Sequence, residues 1–422
     1  MSRVVVTGMH CITAAGFGLD ALWGALTEGR GFGARIRKFD VSQNASQIGA
    51  EIDGFDPILQ GIDPALAART DRATQLAIVC SRHAVRDAGL GTPQHRGGVC
   101  IGSAIGGVEI MERAFRRACV PGSDKPKWVK VRRESLAAPV YGAFLAASIS
   151  TEIARDQAYT GPCTTMATGC VAGLDAIGTA ASMIESGMAD IMITGGVDAP
   201  VTPIVLTSFD NIKALTRRNS DPTKASRPFD RERDGFLLAE GCAVLILEAE
   251  EFARRRGARI YGTVLGYAST SNAYHMTGLP VDGESLALAI KIALARAGVD
   301  PGKVDYINAH GSSTPQNDRG ETAAFKRVFG ERVYGIPISS TKSCIGHTLG
   351  AASAIESAVC FMALTKDIVP PTLNYENACP DCDLDYVPNE PRNARLRVVE
   401  NNASGFSGIH SAAVFGHPDG LA

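Results

Sequence analysis

The sequence predicts an α/β protein made of two related halves. Short β-branched runs alternate with segments of helical period, two passages recur in the same order along the chain, and 422 residues exceed what one hydrophobic core usually serves. Strands are expected at 4–7, 99–103, 191–194, 244–247, 304–308 and 336–340, where Val and Ile cluster. Amphipathic spacing predicts helices over 73–88, 171–186 and 286–297, the last two stopped by Gly187 and Gly298. Gly169-Cys-Val-Ala-Gly173 and Gly346-His-Thr-Leu-Gly350 each open an apolar helix after a strand and turn. Further upstream, Asp87-Ala-Gly-Leu90 parallels Arg296-Ala-Gly-Val299. Two matches in one order make duplication the better reading, with halves of 1–250 and 251–422 and the junction after the strand at 244–247.

Composition is that of an ordinary globular enzyme: 45% hydrophobic and 20% charged residues, with a formal net charge of -2. So balanced a charge gives no global pull toward nucleic acid or an anionic membrane. No uninterrupted apolar run reaches the ~18–20 residues of a membrane helix, and the chain opens on a strand, Arg3-Val-Val-Val-Thr-Gly8, where a secretory leader would have a basic segment and an apolar core. A cytoplasmic protein is expected. Eleven cysteines without regular spacing suit reduced thiols. Cys379 and Cys382 form a C-x-x-C with no second pair at zinc spacing, so no metal is expected there.

Chemistry concentrates at three places. Cys170 follows a glycine that suits a tight strand-to-helix turn and precedes a helix, whose unpaired amides and positive end favour thiolate. A buried structural cysteine and an activated nucleophile both fit that position. His310 ends a strand and is followed by Gly311-Ser-Ser-Thr314, at the carboxyl edge where parallel sheets collect their sites. In Ser340-Thr-Lys-Ser-Cys-Ile-Gly-His347 a lysine ends a strand, and His347 lies at a helix N-terminus that keeps its imidazole neutral, a hydrogen-bond donor to developing negative charge. One thiol and two histidines at such termini call for acyl-thioester chemistry.

Those segments carry a family resemblance. Thr168-Gly-Cys-Val-Ala-Gly173, Asn308-Ala-His-Gly-Ser-Ser-Thr-Pro315, Ser339-Ser-Thr-Lys342, Gly346-His347, Gly350-Ala-Ala352 and Ser404-Gly-Phe-Ser-Gly408 resemble the β-ketoacyl-acyl carrier protein synthases, and Ser226-Arg-Pro-Phe-Asp230 with Asp234-Gly-Phe236 extends the match along the chain. Phe209-Asp-Asn-Ile-Lys-Ala214, Ala273-Tyr-His-Met-Thr-Gly-Leu279 and Cys382-Asp-Leu-Asp-Tyr-Val-Pro388 look closer to the ketosynthase α subunits of type II polyketide synthases. The resemblance implies a thiolase fold, a duplicated five-layer αβαβα arrangement with two mixed sheets, and an acyltransferase catalysing decarboxylative Claisen condensation of malonyl-acyl carrier protein with a Cys-bound acyl chain. A homodimeric fatty-acid elongating synthase is the alternative within the family.

By residue match, Cys170 would be acylated, His310 and His347 would polarise the malonyl thioester, Lys342 would fix His310, and the amides of Cys170 and Phe406 would hold the oxyanion. The resemblance further places Ser312 and Thr314 on the phosphopantetheine arm, Ile105 in the acyl pocket, Phe406 at its gate and Glu321 in support of Lys342 and His310. It implies no cofactor beyond the carrier protein's phosphopantetheine, and as partners an acyl carrier protein and a chain-length-factor-like subunit in a heterodimer, or else a second copy. Arg113, Arg116, Arg117, Lys125, Lys127, Lys130, Arg132 and Arg133 form a basic stretch suited either to docking an acidic carrier or to solvation alone, and the small-residue run from Ala137 to Ala146 suits a subunit interface or an internal helix. Three departures stand out: Ser407 directly follows Gly405-Phe406 where glycine is common, Ser312 replaces a threonine, and Ile409-His-Ser411 differs from the fatty-acid pattern. A thiolase would need a second catalytic cysteine, and a non-catalytic partner subunit would lack Cys170.

Overall fold

The computed structural model describes residues 3–91, 96–118, 141–143 and 145–420. The duplication expected from two short passages runs through its whole topology. The first half reads β1 (Val4–Thr13), α1 (Arg72–Asp87), β2 (Gly97–Gly102), α2 (Ser148–Gln157), β3 (Cys163–Met166), α3 (Ala172–Glu185), β4 (Ile191–Asp198) and β5 (Gly241–Ala249). The second repeats that order as β6 (Gly262–Ser271), α4 (Glu284–Ala297), β7 (Tyr306–Asn308), α5 (Pro315–Phe329), β8 (Ile338–Ser339), α6 (Ala352–Lys366), β9 (Val398–Ser404) and β10 (Ile409–Gly416).

Each half folds its strands in the spatial order third, second, fourth, fifth, first. The first three of these pair in parallel and the last two join antiparallel, identically in both halves. These are two mixed sheets, and they are also hydrogen-bonded to each other, because Val4–Val6 of β1 pairs with Val264–Gly262 of β6. The halves therefore share one continuous sheet across the centre.

Helices α1 and α2 cover the outer face of the first sheet and α4 and α5 that of the second, while α3 and α6 lie between the sheets against each other. This is the thiolase-type layering. Helix α6 shows why the middle layer must be apolar all round: every residue from Ala352 to Leu364 is buried. Among the described residues, Leu349–Lys366 is the one stretch long and apolar enough to cross a membrane, and 89% of it is buried inside the protein.

The repeat register differs from the one read in sequence. Helix α3 begins at Ala172 after a 3₁₀ turn at Gly169–Val171, and α6 begins at Ala352 after a 3₁₀ turn at Leu349–Ala351. Cys170 thus corresponds to Gly350, and His347 sits one turn upstream. Two glycine-rich runs match at either offset in sequence, and only the helix starts decide between them.

The strands β3, β6, β9 and β10 carry Thr, Ser, Asn and Gly in place of Val-rich runs and escaped the periodicity. They are strands because their backbones pair with neighbouring strands, and some of their polar side chains also find partners, as where Asn401 Nδ2 donates to Ser357 Oγ at 2.9 Å. The Ser226-Arg-Pro-Phe-Asp230 motif works as scaffold: Arg227, buried, reaches Glu376 at 2.8 Å, and Asp230 accepts the amides of Glu376 and Asn377 at 2.7 and 2.6 Å. Cys379 and Cys382 close a turn, Cys382 N donating to Cys379 O at 2.9 Å and Arg233 Nη1 to Cys379 Sγ at 3.4 Å. Of the basic stretch, Arg113 is exposed and Arg116 pairs with Glu112 at 2.8 Å. The Arg117 side chain, Lys125, Lys127, Lys130, Arg132 and Arg133 lie outside the described residues, as does most of the run from Ala137.

The halves interlock where Tyr267 of β6 lies over Gly178 of α3 and donates to Asp175 at 2.8 Å. A Cβ at Gly178 would stand 2.1 Å from the Tyr267 ring. Gly178→Ala is expected to cost about 1–3 kcal/mol of stability by overpacking, read as a lower denaturant midpoint; an unchanged midpoint would show that this contact yields.

Candidate active site

Cys170 lies in the turn that opens α3, directly after Gly169 at φ +66, a left-handed conformation that glycine takes at little cost. Gly173 lets the other central helix approach, since a Cβ there would meet Gly350 O and Ala354 Cβ at 2.8 Å. The cysteine is half-buried among Ile105, Phe209 and Phe406. Burial pushes its thiol up to about 11, opposed by Lys342 and by the nearby amides of Phe406 and Cys170, while Asp198 pushes it further up. Loss of water thus works against the thiolate-favouring environment expected from the helix start, and it is the largest influence on the sulfur, favouring the thiol.

His310 and His347 meet edge to face, ring centroids 5.1 Å apart at 81°, and both line the cavity that Cys170 enters. The Leu349 amide donates to His347 Nδ1 at 3.2 Å. That nitrogen must then carry the lone pair, which leaves the proton on Nε2. Burial, reinforced by Lys342, holds both imidazoles well below their ordinary range, so both are neutral at pH 7.

Lys342 does not line the cavity. Fully buried behind it, its Nζ donates to His310 O at 2.7 Å and pairs with Glu356. Glu321 accepts the amides of His310 and Gly311 at 2.6 and 2.8 Å, and burial raises its carboxyl to about 8. Glu321 therefore braces the backbone of His310, and the carboxylate against Lys342 is Glu356. Sequence reasoning missed Glu356 because it lies on the apolar helix α6, where only its being buried there signals a purpose.

Ser312 and Thr314 share a hydrogen bond of 2.8 Å and line the same cavity. Ile105 packs in the apolar cluster around Cys170 and Phe406, on the loop after β2. Phe209 and Phe236 link the gate to the histidines: Phe406–Phe209, Phe209–Phe236 and Phe236–His347 centroids are 6.2, 5.2 and 5.2 Å apart. Only about 20 Å³ of the cavity is open to a water's centre, room for one water. A vestibule of about 410 Å³, lined by Lys213, His275 and Gln316, shares Leu279, Thr314 and Phe406 with it. Phe406 therefore stands between a roomy entrance and a site too tight for an acyl chain.

A thiol and two neutral imidazoles meeting in one buried cavity define a condensing enzyme for acyl thioesters. The family model described as "Beta-ketoacyl synthase, N-terminal domain" matches residues 1–253 and "Beta-ketoacyl synthase, C-terminal domain" matches 261–376. The chain belongs to the β-ketoacyl synthase family. It is 47% identical over 419 residues, 99% of this chain and 97% of the relative, to the "Tetracenomycin polyketide synthase ketoacyl synthase alpha subunit" of Streptomyces glaucescens. It is 41% identical, covering 98% and 97%, to a 3-oxoacyl-acyl-carrier-protein synthase 2 of Synechocystis sp.. Among solved structures, a "type II PKS acyl-carrier protein in complex with its ketosynthase bound to the hexaketide" superposes with a TM-score of 0.90 at 37% identity over 99% of both chains.

Ser407, one of the departures noted in sequence, sits at φ +75 beside the gate, its amide donating to Met276 O at 2.8 Å. A left-handed conformation costs a non-glycine residue ~1–2 kcal/mol. Ser407→Gly is expected to gain up to about 1 kcal/mol, part of the relief being offset by unfolded-chain entropy; a lower unfolding midpoint would show that the serine side chain stabilises the gate. Because the thiol is raised, iodoacetamide labelling of Cys170 should accelerate about tenfold per pH unit from pH 7 to 10. A plateau near pH 7 would mean a thiolate at rest.

Proposed function

We propose that this chain is the ketosynthase (α) subunit of a type II polyketide synthase and that its residues divide the condensation as follows. Cys170 takes the acyl group from a carrier-protein thioester, its proton leaving with the phosphopantetheine thiol. The tetrahedral oxyanion falls to the amides of Cys170 and Phe406, donors worth about 3–4 kcal/mol each in comparable acyl transfers. Malonyl-carrier protein then enters past Phe406, its pantetheine arm alongside Ser312 and Thr314.

Its thioester oxygen meets the imidazole donors of His310 and His347 as carbon dioxide departs and the electron pair moves into an enolate. The enolate carbon attacks the Cys170 thioester, the sulfur leaves, and the β-ketoacyl chain stays on the second carrier. Neutral donors suit this step: they bind enolate charge without protonating the carbon nucleophile. Lys342 holds His310 through its carbonyl and, with Glu356, sets the field; Glu321 holds the His310 amide; Ile105 bounds the acyl chain.

The observation that carries this reading is the meeting of His310 and His347 at 5.1 Å in the cavity of Cys170. We assign the nucleophile to a functional half of residues 1–250 and both histidines to 251–422, a division that the repeated strand order supports. The relatives support a carrier-protein partner and, as in a solved structure called "The ishigamide ketosynthase/chain length factor", a heterodimer with a chain-length-factor-like subunit. The cytoplasm is the proposed compartment. The 41% likeness to the 3-oxoacyl-acyl-carrier-protein synthase favours a second reading, a homodimeric fatty-acid enzyme.

Cys170→Ala should abolish elongation while keeping the fold, and normal elongation by that variant would refute the mechanism. His310→Ala and His347→Ala should each suppress carbon–carbon bond formation by about 100-fold or more while acyl loading partly survives; loss of loading in both would make a histidine the base for acylation. Expressed alone, the chain should be inactive in elongation and regain activity with its paralogous partner. A soluble homodimer with full activity would favour the fatty-acid reading.

A further inference from the structure

Asp198 ends β4 with no side chain of opposite charge bonded to it among the described residues, yet its buried carboxylate accepts four hydrogen bonds: from Ser103 Oγ at 2.7 Å, Ala104 N at 2.8 Å, Ile105 N at 3.2 Å and Gly350 N at 2.7 Å. The first three belong to the loop of the first half that carries Ile105, and the fourth to the turn of the second half that opens α6. Gly350 is the residue that the duplication matches to Cys170. In one half the helix-opening amide faces the acyl site, and in the other the equivalent amide is occupied by Asp198. A Cβ at Gly350 would lie 2.7 Å from the Asp198 oxygen and 2.5 Å from Ala104 N, so a side chain in that position would block the bond.

We propose that Asp198 is a positioning residue for the condensation, one carboxylate that fixes both the Ile105 loop bounding the acyl chain and the turn whose Leu349 amide sets the His347 tautomer. Leu349 and Gly350 are consecutive, so a displaced Gly350 amide carries the Leu349 donor with it. Near the reacting groups, displacements of ~1 Å cost about 100-fold in rate. The Asp198 charge also reaches Cys170, where it opposes Lys342 and helps keep the sulfur a thiol until an acyl carrier arrives. Burial raises the carboxyl to about 6 against the four donors, so the ionised, fully bonded form prevails at pH 7 and is lost as the pH falls through 6. This inference rests on the roles assigned above to Cys170 and His347.

The test uses the chain with its partner subunit. Asp198→Asn puts an amide N–H against donors and removes the charge. Decarboxylation of malonyl-carrier protein should fall by about 100-fold, acyl loading should fall far less, and the iodoacetamide profile of Cys170 should move to lower pH. Ser103→Ala, which removes one donor and keeps the charge, covers the case in which the first variant fails to fold. The acid limb of elongation should move to higher pH in that variant, because a less-bonded carboxylate is harder to ionise. Unchanged decarboxylation with an unmoved Cys170 profile, or an unmoved acid limb in Ser103→Ala, overturns the proposal and leaves Asp198 a packing residue. Failure of the underlying reading has a different signature, since Cys170→Ala would then still elongate with Asp198 intact.

Discussion

Everything at the site depends on the contact of α3 with α6, two helices buried between two sheets. Over Ala172–Gly178 of α3 and Ala352–Leu364 of α6 every residue is buried, so neither stretch can carry the polar stripe of a surface helix, and the crossing is made of Gly173, Gly350, Ala351 and Ala354. Small residues let the N-terminal turns abut, which sets the nucleophile of one half beside the histidine turn of the other. A larger side chain at the crossing would part the halves and separate the two sides of the reaction. The shared sheet through β1 and β6 fixes the same relation from the opposite direction. In a duplicated fold of this kind, the site is a property of the interface between repeats.

The electrostatics follow from dryness. Burial raises the Cys170 thiol and depresses both imidazoles, and the Lys342–Glu356 pair lies behind the reacting groups. A low-dielectric pocket whose reacting side chains are neutral strengthens every fixed donor within it, and it leaves acid–base chemistry a smaller part than hydrogen bonding to developing charge. The carboxyl groups of Glu321, Glu356 and Asp198 serve this arrangement by holding backbone amides or the lysine, and none of them lines the Cys170 cavity.

Access is the remaining constraint. The cavity at Cys170 admits a single water, whereas the vestibule outside Phe406 is many times larger. The Phe406 segment is anchored on one side by Ser407 N to Met276 O, and by Asn272 N to Gly408 O. The Phe406 segment and this flanking loop are thus linked, and Met276 belongs to one of the three segments that look closer to polyketide α subunits.

Much of this was legible in sequence. Glycine spacing and β-branched runs placed Cys170 at a helix start and His310 just past a strand, whereas His347, expected at a helix N-terminus, lies in the turn before Leu349–Ala351 and is kept neutral by burial, and Lys342 lies three residues beyond its strand. The tautomer of His347, the partner of Lys342 and the true repeat register were not legible. The tautomer rests on a turn that bends the Leu349 amide back onto Nδ1 two residues earlier, and the other two rest on residues whose meaning comes from a partner on another element: Glu356 on an otherwise apolar helix, and Gly350 opposite Asp198, 152 positions away in the chain. The thiol state of Cys170 was misjudged for the same reason. Sequence shows the helix start that favours a thiolate, but the water excluded around the sulfur is fixed only when two halves close over it, and that desolvation is the larger effect.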